Sequence, residues 1–498
     1  MLRILGPYAH VCGGLSRRQF LEVGGAGLLG LSLPKLLAAQ QQSEQQQSEQ
    51  QQSEQQRPNR PSARPKARSV IFLYLFGGPS QLETFDLKPQ APDAIRGPFR
   101  PIASRTPELL ICEHLPQMAQ ISDRFCVLRT LGHPYNDHST AGHYIQTGHP
   151  WHVPIGGGFN ATDKDWPAMG SIVEYVDQRA GGPPRPIPSY VYLPNRLGHL
   201  QTYSTKLDRP GQYAGWLGRG YDALATDIRK RDDNDNPYYR TCTDDELDFR
   251  IKGLASDASL TLDRLDRRRT LLDQFDAARR MLDAAGPPAI ESASYQRFQE
   301  RALALVNSET TRRALDLRSE PAELRDRYGR HLFGQSTLMA RRMIEAGARF
   351  VTVAWDAPDG YGWDSHIHSD DVKKHLLPGL DQAFSALVLD LEARGLLDET
   401  LVVAVGEMGR TPNATSAWGR GHWSTLFPAV LAGGGIRGGM VYGRSDKHAA
   451  HPADHPLVPE DLAATLLSAL GIDPDTRVAD AQGRPVPLVD GGRVLALS

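Results

Sequence analysis

Residues 348–407 read ARFVTVAWDAPDGYGWDSHIHSDDVKKHLLPGLDQAFSALVLDLEARGLLDETLVVAVGE, and the order of patterns in this stretch decides the fold. β-formers over 349–355 give way to helical periodicity over 378–394, and TLVVAVG then runs directly into Glu407. Strand, helix, strand is the repeating unit of a parallel sheet. Working outward, SVIFLYLF (69–76), RFCVLRTL (124–131), PSYVYLP (188–194) and FPAVLAGGG (427–435) read as further strands. Trp166–Arg179 and PEDLAATLLSALG (459–471) read as helices. The alternation predicts an α/β fold with a mostly parallel central sheet and helices on both faces. Such sheets place their chemistry outside the carboxyl ends of the strands.

The ends of the chain carry other signals. Ser16-Arg17-Arg18-Gln19-Phe20-Leu21 precedes a glycine-broken apolar run ending at Ala38-Ala39, which is the pattern of a twin-arginine (Tat) export signal over 1–39. Left uncleaved, it would serve as a membrane anchor; cleaved, it leaves a periplasmic or cell-surface protein. Residues 40–68 repeat QQQSE and end in a Pro/Arg segment with little to bury, so a disordered spacer is expected before a folded domain over 69–498. The highly charged stretch 243–347 reads as a helical insertion whose charge runs are solvated faces. With 56 basic against 58 acidic residues, no net field points to nucleic acid or to an anionic membrane surface. Cys12, Cys112, Cys126 and Cys242 form no C-x-x-C pair, and Cys112 with Cys126 is open to reading as a disulfide or as two buried thiols.

Three blocks carry chemistry. GGPSQLETFDLKP (77–89) follows the first strand, with Ser80, Glu83 and Asp86 oxygens beside glycines that allow close backbone approach; the plainer reading is a strand-to-loop turn. GHPYNDHSTAGHYIQTGHPWH (132–152) gathers His133, His138, His143, His149 and His152, five of the chain's 16 histidines. Imidazole is the commonest metal ligand and a ready proton carrier near neutral pH, so the cluster points to metal or acid–base work, although any single member has a structural reading too. A helix beginning near Ser139 would set His138 and His143 close together.

The third block runs from Trp363 to Trp423 and supplies Asp364, His366, Glu407 and His422, with Asp356, Asp359 and His368 as further candidates. Mixed imidazole and carboxylate ligands suit a divalent cation, and zinc, manganese, calcium or magnesium all remain open. Arg410, three residues beyond Glu407, has the planar fork that holds sulfate or phosphate oxygens. The competing structural reading is a Glu407–Arg410 ion pair with Asp364 capping a turn.

GGPSQLETFDLKP, HPYNDHSTAGHYIQTGHP, PGQYAGWLGRGYD, WDSH, RGLLDETLVVAVGEMGRTP, GRGHW and LAGGGIRGGMVYGRSD together resemble the bacterial family known as domain of unknown function 1501, over about residues 69–490. That family is similar to the alkaline phosphatase and sulfatase superfamily. The resemblance implies an alkaline phosphatase-like sandwich and hydrolysis of sulfate or phosphate esters with divalent metal. The implied partners are a sulfated or phosphorylated small molecule or glycan, and the Tat export machinery. His138 stands where a sulfatase carries its modified nucleophile, so Ser139 or Thr140 beside it, or water, would attack instead; His138, Asp364, His366, Glu407 and His422 would bind metal, and Arg410 the anion. Gly77-Gly78 replaces the first metal-binding aspartate, and Gly421 the aspartate of the family's GRDHW block. The alternative is an exported, non-catalytic module that binds anionic glycans or a partner protein on the same fold.

Overall fold

The computed structural model describes residues 66–152, 160–181, 185, 187–201, 207–251, 308–358, 362–480 and 482–497. The export signal, most of the spacer, Asp359 and residues 252–307 of the charged stretch lie outside them.

A nine-stranded sheet forms the centre of the molecule. In chain order its strands are β1 (Ser69–Leu75), β2 (Phe125–Leu131), β3 (Tyr190–Leu193), β4 (Leu224–Asp227), β5 (Arg250–Ile251), β6 (Phe350–Trp355), β7 (Thr400–Val405), β8 (Phe427–Ala432) and β9 (Met440–Tyr442). In space they lie in the order β9-β2-β8-β7-β1-β6-β3-β4-β5. β1 pairs in parallel with both β6 and β7, and β3 in parallel with β6 and β4, whereas β8 runs against its neighbours β2 and β7 and β5 against β4. The sheet is therefore mixed and mostly parallel.

Side-chain alternation along β1 shows why it lies at the centre. Ile71, Leu73 and Leu75 enter one apolar cluster; Val70, Phe72 and Tyr74 enter the other. A strand buried on both faces reads as a continuous apolar run, which is what SVIFLYL is. The five main helices are α1 (His138–Thr147), α2 (Met169–Arg179), α3 (Leu332–Glu345), α4 (Leu377–Ala393) and α5 (Pro459–Ala469). Leu338 and Met339 of α3 and Leu380 and Phe384 of α4 cover the first face. Ile145 of α1, Ile172 of α2 and Leu462 and Leu466 of α5 cover the second. Helices thus lie on both faces, as expected. The described flanks of the charged stretch contribute the edge strand β5 and helix α3, which packs on β6.

Register positions the site. Leu75 lies opposite Trp355 and Tyr74 opposite Val405, so β1, β6 and β7 end level with one another. β2 runs in the same direction, and Phe427, at the start of the reversed β8, lies beside Leu131. Residues 76–79, 132–138, 356–358, 362–366 and 406–423 consequently meet at one edge. Among the described residues no helix is long and apolar enough to cross a membrane.

Candidate metal centre

Asp364 is the hub at that edge. Its Oδ1 lies 2.9 Å from His366 Nε2, 3.2 Å from His422 Nε2 and 2.6 Å from Arg410 Nη2, while its Oδ2 lies 3.1 Å from His138 Nε2. His138, Asp364 and His422 each bring a ligand atom within 4.8 Å of the others. His366 closes the group from the solvent side, its Nε2 2.9 Å from that of His422. Arg410 holds Asp364, Glu407 holds His138, and the Asn136 carbonyl holds His422.

The tautomers follow from the outer partners. His138 Nδ1 meets Glu407 Oε1 at 2.6 Å, and His422 Nδ1 meets the carbonyl oxygen of Asn136 at 2.7 Å. A carbonyl or carboxylate oxygen only accepts, so both Nδ1 atoms carry hydrogen and a neutral ring presents a bare Nε2. Those lone pairs face the Asp364 carboxylate, another acceptor, and His138 Nε2 is buried without hydrogen-bond alignment to any group. His422 Nε2 can also accept from His366 Nε2, 2.9 Å away, whereas the contact of His138 Nε2 with Asp364 Oδ2 is resolved by a proton or a metal ion between them. The same need appears in the titration of His138: burial opposes its charged form, but Asp364 and Glu407 outweigh burial and raise it to about 9. Asp364 itself is held far below the usual carboxylate range, since His138, His422 and Arg410 together overcome its burial. Burial lowers His366.

Glu407 was expected as a ligand; the structure places it behind His138. Fully buried, it accepts from the Gly77 N–H at 2.9 and 3.2 Å through its two oxygens and fixes the His138 ring. A carboxylate behind a ligating histidine sets its tautomer and raises its basicity. Gly77 and Gly78 explain why no aspartate stands at the end of β1. A Cβ on Gly77 would come 2.6 Å from the Asp364 nitrogen, and one on Gly78 2.5 Å from the Met408 oxygen. Both have φ in the left-handed half of the map, at +110° and +81°. The space an aspartate side chain would need is filled by the neighbouring loops.

Arg410 differs most from its expected role. Its guanidinium is fully buried and donates to the carbonyls of Gly77, Gly78 and Arg420 as well as pairing with Asp364. Its backbone N–H donates to Gln81 Oε1 at 3.0 Å, and Gln81 Nε2 returns a bond to the Arg410 carbonyl at 2.9 Å. Instead of an open fork for an anion, Arg410 is a post that ties the glycine loop to Asp364. The Glu407–Arg410 pair read from the sequence is replaced by Asp364–Arg410. Arg410 and His422 are opposed in a two-stranded hairpin, Gly409–Arg410 with His422–Trp423, which sets both side chains at once. Gly421 donates its N–H to Thr411 Oγ1, and a Cβ there would meet Thr411 Cγ2 at 3.3 Å.

The histidine block divides. Asp137 caps α1 by accepting from the Thr140 N–H at 2.8 Å, and His138, the first helical residue, turns to the centre. His143 points the other way, its Nδ1 3.0 Å from the His149 carbonyl, and burial lowers it to about 3. His149 meets the Leu488 carbonyl at 2.8 Å and stacks on Trp166; burial lowers it to about 4. His152 accepts from Trp166 Nε1 at 3.1 Å. His133 donates to the Glu407 carbonyl at 2.6 Å and so fixes the backbone of that residue. Ser139 and Thr140 are buried, and neither hydroxyl has a hydrogen-bond partner.

Other candidates fall outside the cluster. His368 is exposed, bridges to Trp418 through its backbone and accepts from the Asp370 N–H, so His366 is the inward member of the pair. Asp356 is buried and accepts from the Gly198 and Ala357 N–H groups and from Gln201 Nε2. Glu83 pairs with buried Arg420 at 2.8 Å, and Asp86 with Lys88 at 2.9 Å. Ser80 accepts from the Thr84 hydroxyl through its carbonyl oxygen. Cys112 and Cys126 are free, buried thiols. Asn136 escaped the sequence reading, because a residue that works through its carbonyl oxygen leaves no side-chain signal.

An α/β sheet with three histidines and an aspartate gathered at its carboxyl edge defines a candidate metalloprotein. The family described as protein of unknown function (DUF1501) matches residues 67–497, and the chain belongs to it. No curated protein matches its sequence. Solved structures similar to it include a phosphonate monoester hydrolase from Silicibacter pomeroyi, at 12% identity and TM-score 0.33 over 87% of this chain and 76% of that one. A sulfatase from a Pseudoalteromonas species matches at 11% and 0.35 over 82% and 68%. The alkaline phosphatase of the Antarctic bacterium TAB5 matches at 12% and 0.32 over 81% and 98%.

Proposed function

We propose that the chain is an exported, metal-dependent hydrolase of sulfate or phosphate esters whose site has been rebuilt around three histidines and one aspartate. The observation that carries this reading is the convergence of the Nε2 atoms of His138 and His422, each with its Nδ1 held by an oxygen acceptor, on the Asp364 carboxylate. His138, His366, His422 and Asp364 would hold the cation. Three imidazoles and a carboxylate suit zinc better than calcium or magnesium, which prefer all-oxygen shells. When bound, such an ion lowers the pKa of water and polarises an ester oxygen.

The chain's own residues do the rest. Glu407 holds His138 by its Nδ1–H, the Asn136 carbonyl holds His422, and Arg410 fixes Asp364. Half-exposed His366 stands at the open side, where substrate and water arrive. Water is the favoured nucleophile; Ser139 and Thr140 sit on the first turn of α1, and their hydroxyls are buried. The twin-arginine motif supports transport of the folded protein to the periplasm or cell surface.

The test is elemental analysis of the full chain purified without chelator, beside an Asp364→Ala/His422→Ala double variant. Near-stoichiometric metal in the parent and none in the variant, with hydrolysis of nitrophenyl sulfate or phosphate by the parent alone, is the expected result. A well-folded parent that takes up no zinc, manganese, calcium or magnesium overturns it in favour of the binding module.

A further inference from the structure

Arg410, buried against Asp364, offers no open fork to an anion, and the role expected of it passes to another described residue. We infer that Arg209 fills this role, binding the non-bridging oxygens of a sulfate or phosphate ester brought to the centre; the inference rests on the hydrolase reading and names its anion-recognition residue.

Position comes first. The Arg209 guanidinium carbon lies 5.2 Å from the centroid of the Phe76 ring, and the same ring lies 5.3 Å, centroid to centroid, from His138. Phe76 directly follows β1 and precedes the Gly77-Gly78 turn, so Arg209 stands on the wall of the same edge. The loop that carries it is seated firmly. Gly211, at φ +91°, lies so close to α1 that a Cβ would come 2.7 Å from the His143 Cα and 2.8 Å from the Gly142 oxygen. The helix that presents His138 therefore also supports Arg209.

Charge comes second. Among the described residues Arg209 has no carboxylate partner, and its one hydrogen bond runs from Nη2 to Gln201 Oε1 at 3.2 Å. Its Nε is buried and bonded to nothing. Both nearby carboxylates are engaged elsewhere. Asp208, the preceding residue, accepts from Tyr213 and pairs with His199, each at 2.8 Å. Asp356 feels the field of Arg209 but is satisfied by Gly198, Gln201 and Ala357. Neighbouring Arg196, by contrast, donates to the Gln212 and Ala223 carbonyls and covers the Tyr213 ring. A half-buried guanidinium held by an aromatic face and one amide, with its remaining Nη edge unpaired, is arranged to meet an anion.

The experiment titrates inorganic phosphate and inorganic sulfate into the zinc-loaded full chain by calorimetry and compares Arg209→Ala and Arg209→Lys, with metal content measured for each. The expected result is binding weakened at least tenfold in Arg209→Ala, a smaller loss in Arg209→Lys, and unchanged zinc in both. Should the alanine variant fold poorly, Arg209→Gln answers the same question. Equal anion affinity in parent and variant, or a metal-loaded parent that binds neither anion, overturns the inference. A parent without metal defeats the hydrolase reading alone, since an Arg209-dependent anion site would still register in the titration.

Discussion

His138 and His143 lie five residues apart on one helix and have opposite chemistry. His138 opens the helix between two carboxylates, which hold it protonated up to about 9 unless a cation takes the proton's place. His143 faces inward to a carbonyl, with no carboxylate among the described residues paired with it, and burial takes it down to about 3. Both are largely removed from water, so burial does not separate them. The charge of the partners does, and those partners come from Asp364 and Glu407, more than two hundred residues away.

Removing the partner charge should break the contrast most strongly. Asp364→Ala should lower metal affinity more than about 100-fold, and it leaves Arg410 buried without its carboxylate, at a cost of about 3–5 kcal/mol. Chelator competition reads the first and urea unfolding the second, with Asp364→Asn separating packing from charge. Glu407→Gln should act next. It keeps an acceptor for the Gly77 N–H but no longer fixes the His138 tautomer, and a loss of about 10–100-fold in zinc affinity with folding retained is expected.

His143 sharpens the other side of the comparison. Its folded-state value near 3 lies below the ordinary value of 6.5, so its neutral form stabilises the fold fully above about pH 6.5 and that stability is lost as pH falls towards 3. Unfolding free energy should drop by up to about 1.4 kcal/mol per pH unit from this group alone, and His143→Gln should flatten the acid slope while leaving metal content unchanged. The smallest effect belongs to the cysteines. Cys112 and Cys126 are free thiols raised to about 12 by burial, so adding reductant should leave the melting temperature where it was.

The same contrast separates what was legible from what was not. Apolar runs such as SVIFLYL, FVTVAW and TLVVAV are set by local pattern, and each became a strand where its residues placed it. The helices at 169–179, 377–393 and 459–469 followed their periodicity in the same way. Asp364, His366, His422 and His138 were visible because chemistry-bearing side chains cluster at strand ends. Their division of labour was not visible. Glu407 and Asp364 are both carboxylates after strands, yet only the register of β1, β6 and β7 puts one behind His138 and the other among three imidazoles.

The sequence by itself determined the α/β alternation, the strand and helix positions, the family and the residue types gathered at the carboxyl edge of the sheet, because those follow from short-range periodicity and from side-chain chemistry. Only the tertiary structure decided that His138 and not His143 enters the centre, that Arg410 is a buried post and that Arg209 has no carboxylate partner among the described residues. Each of these depends on which oxygen lies within about 3 Å of a given nitrogen, and strand pairing between distant segments sets that distance.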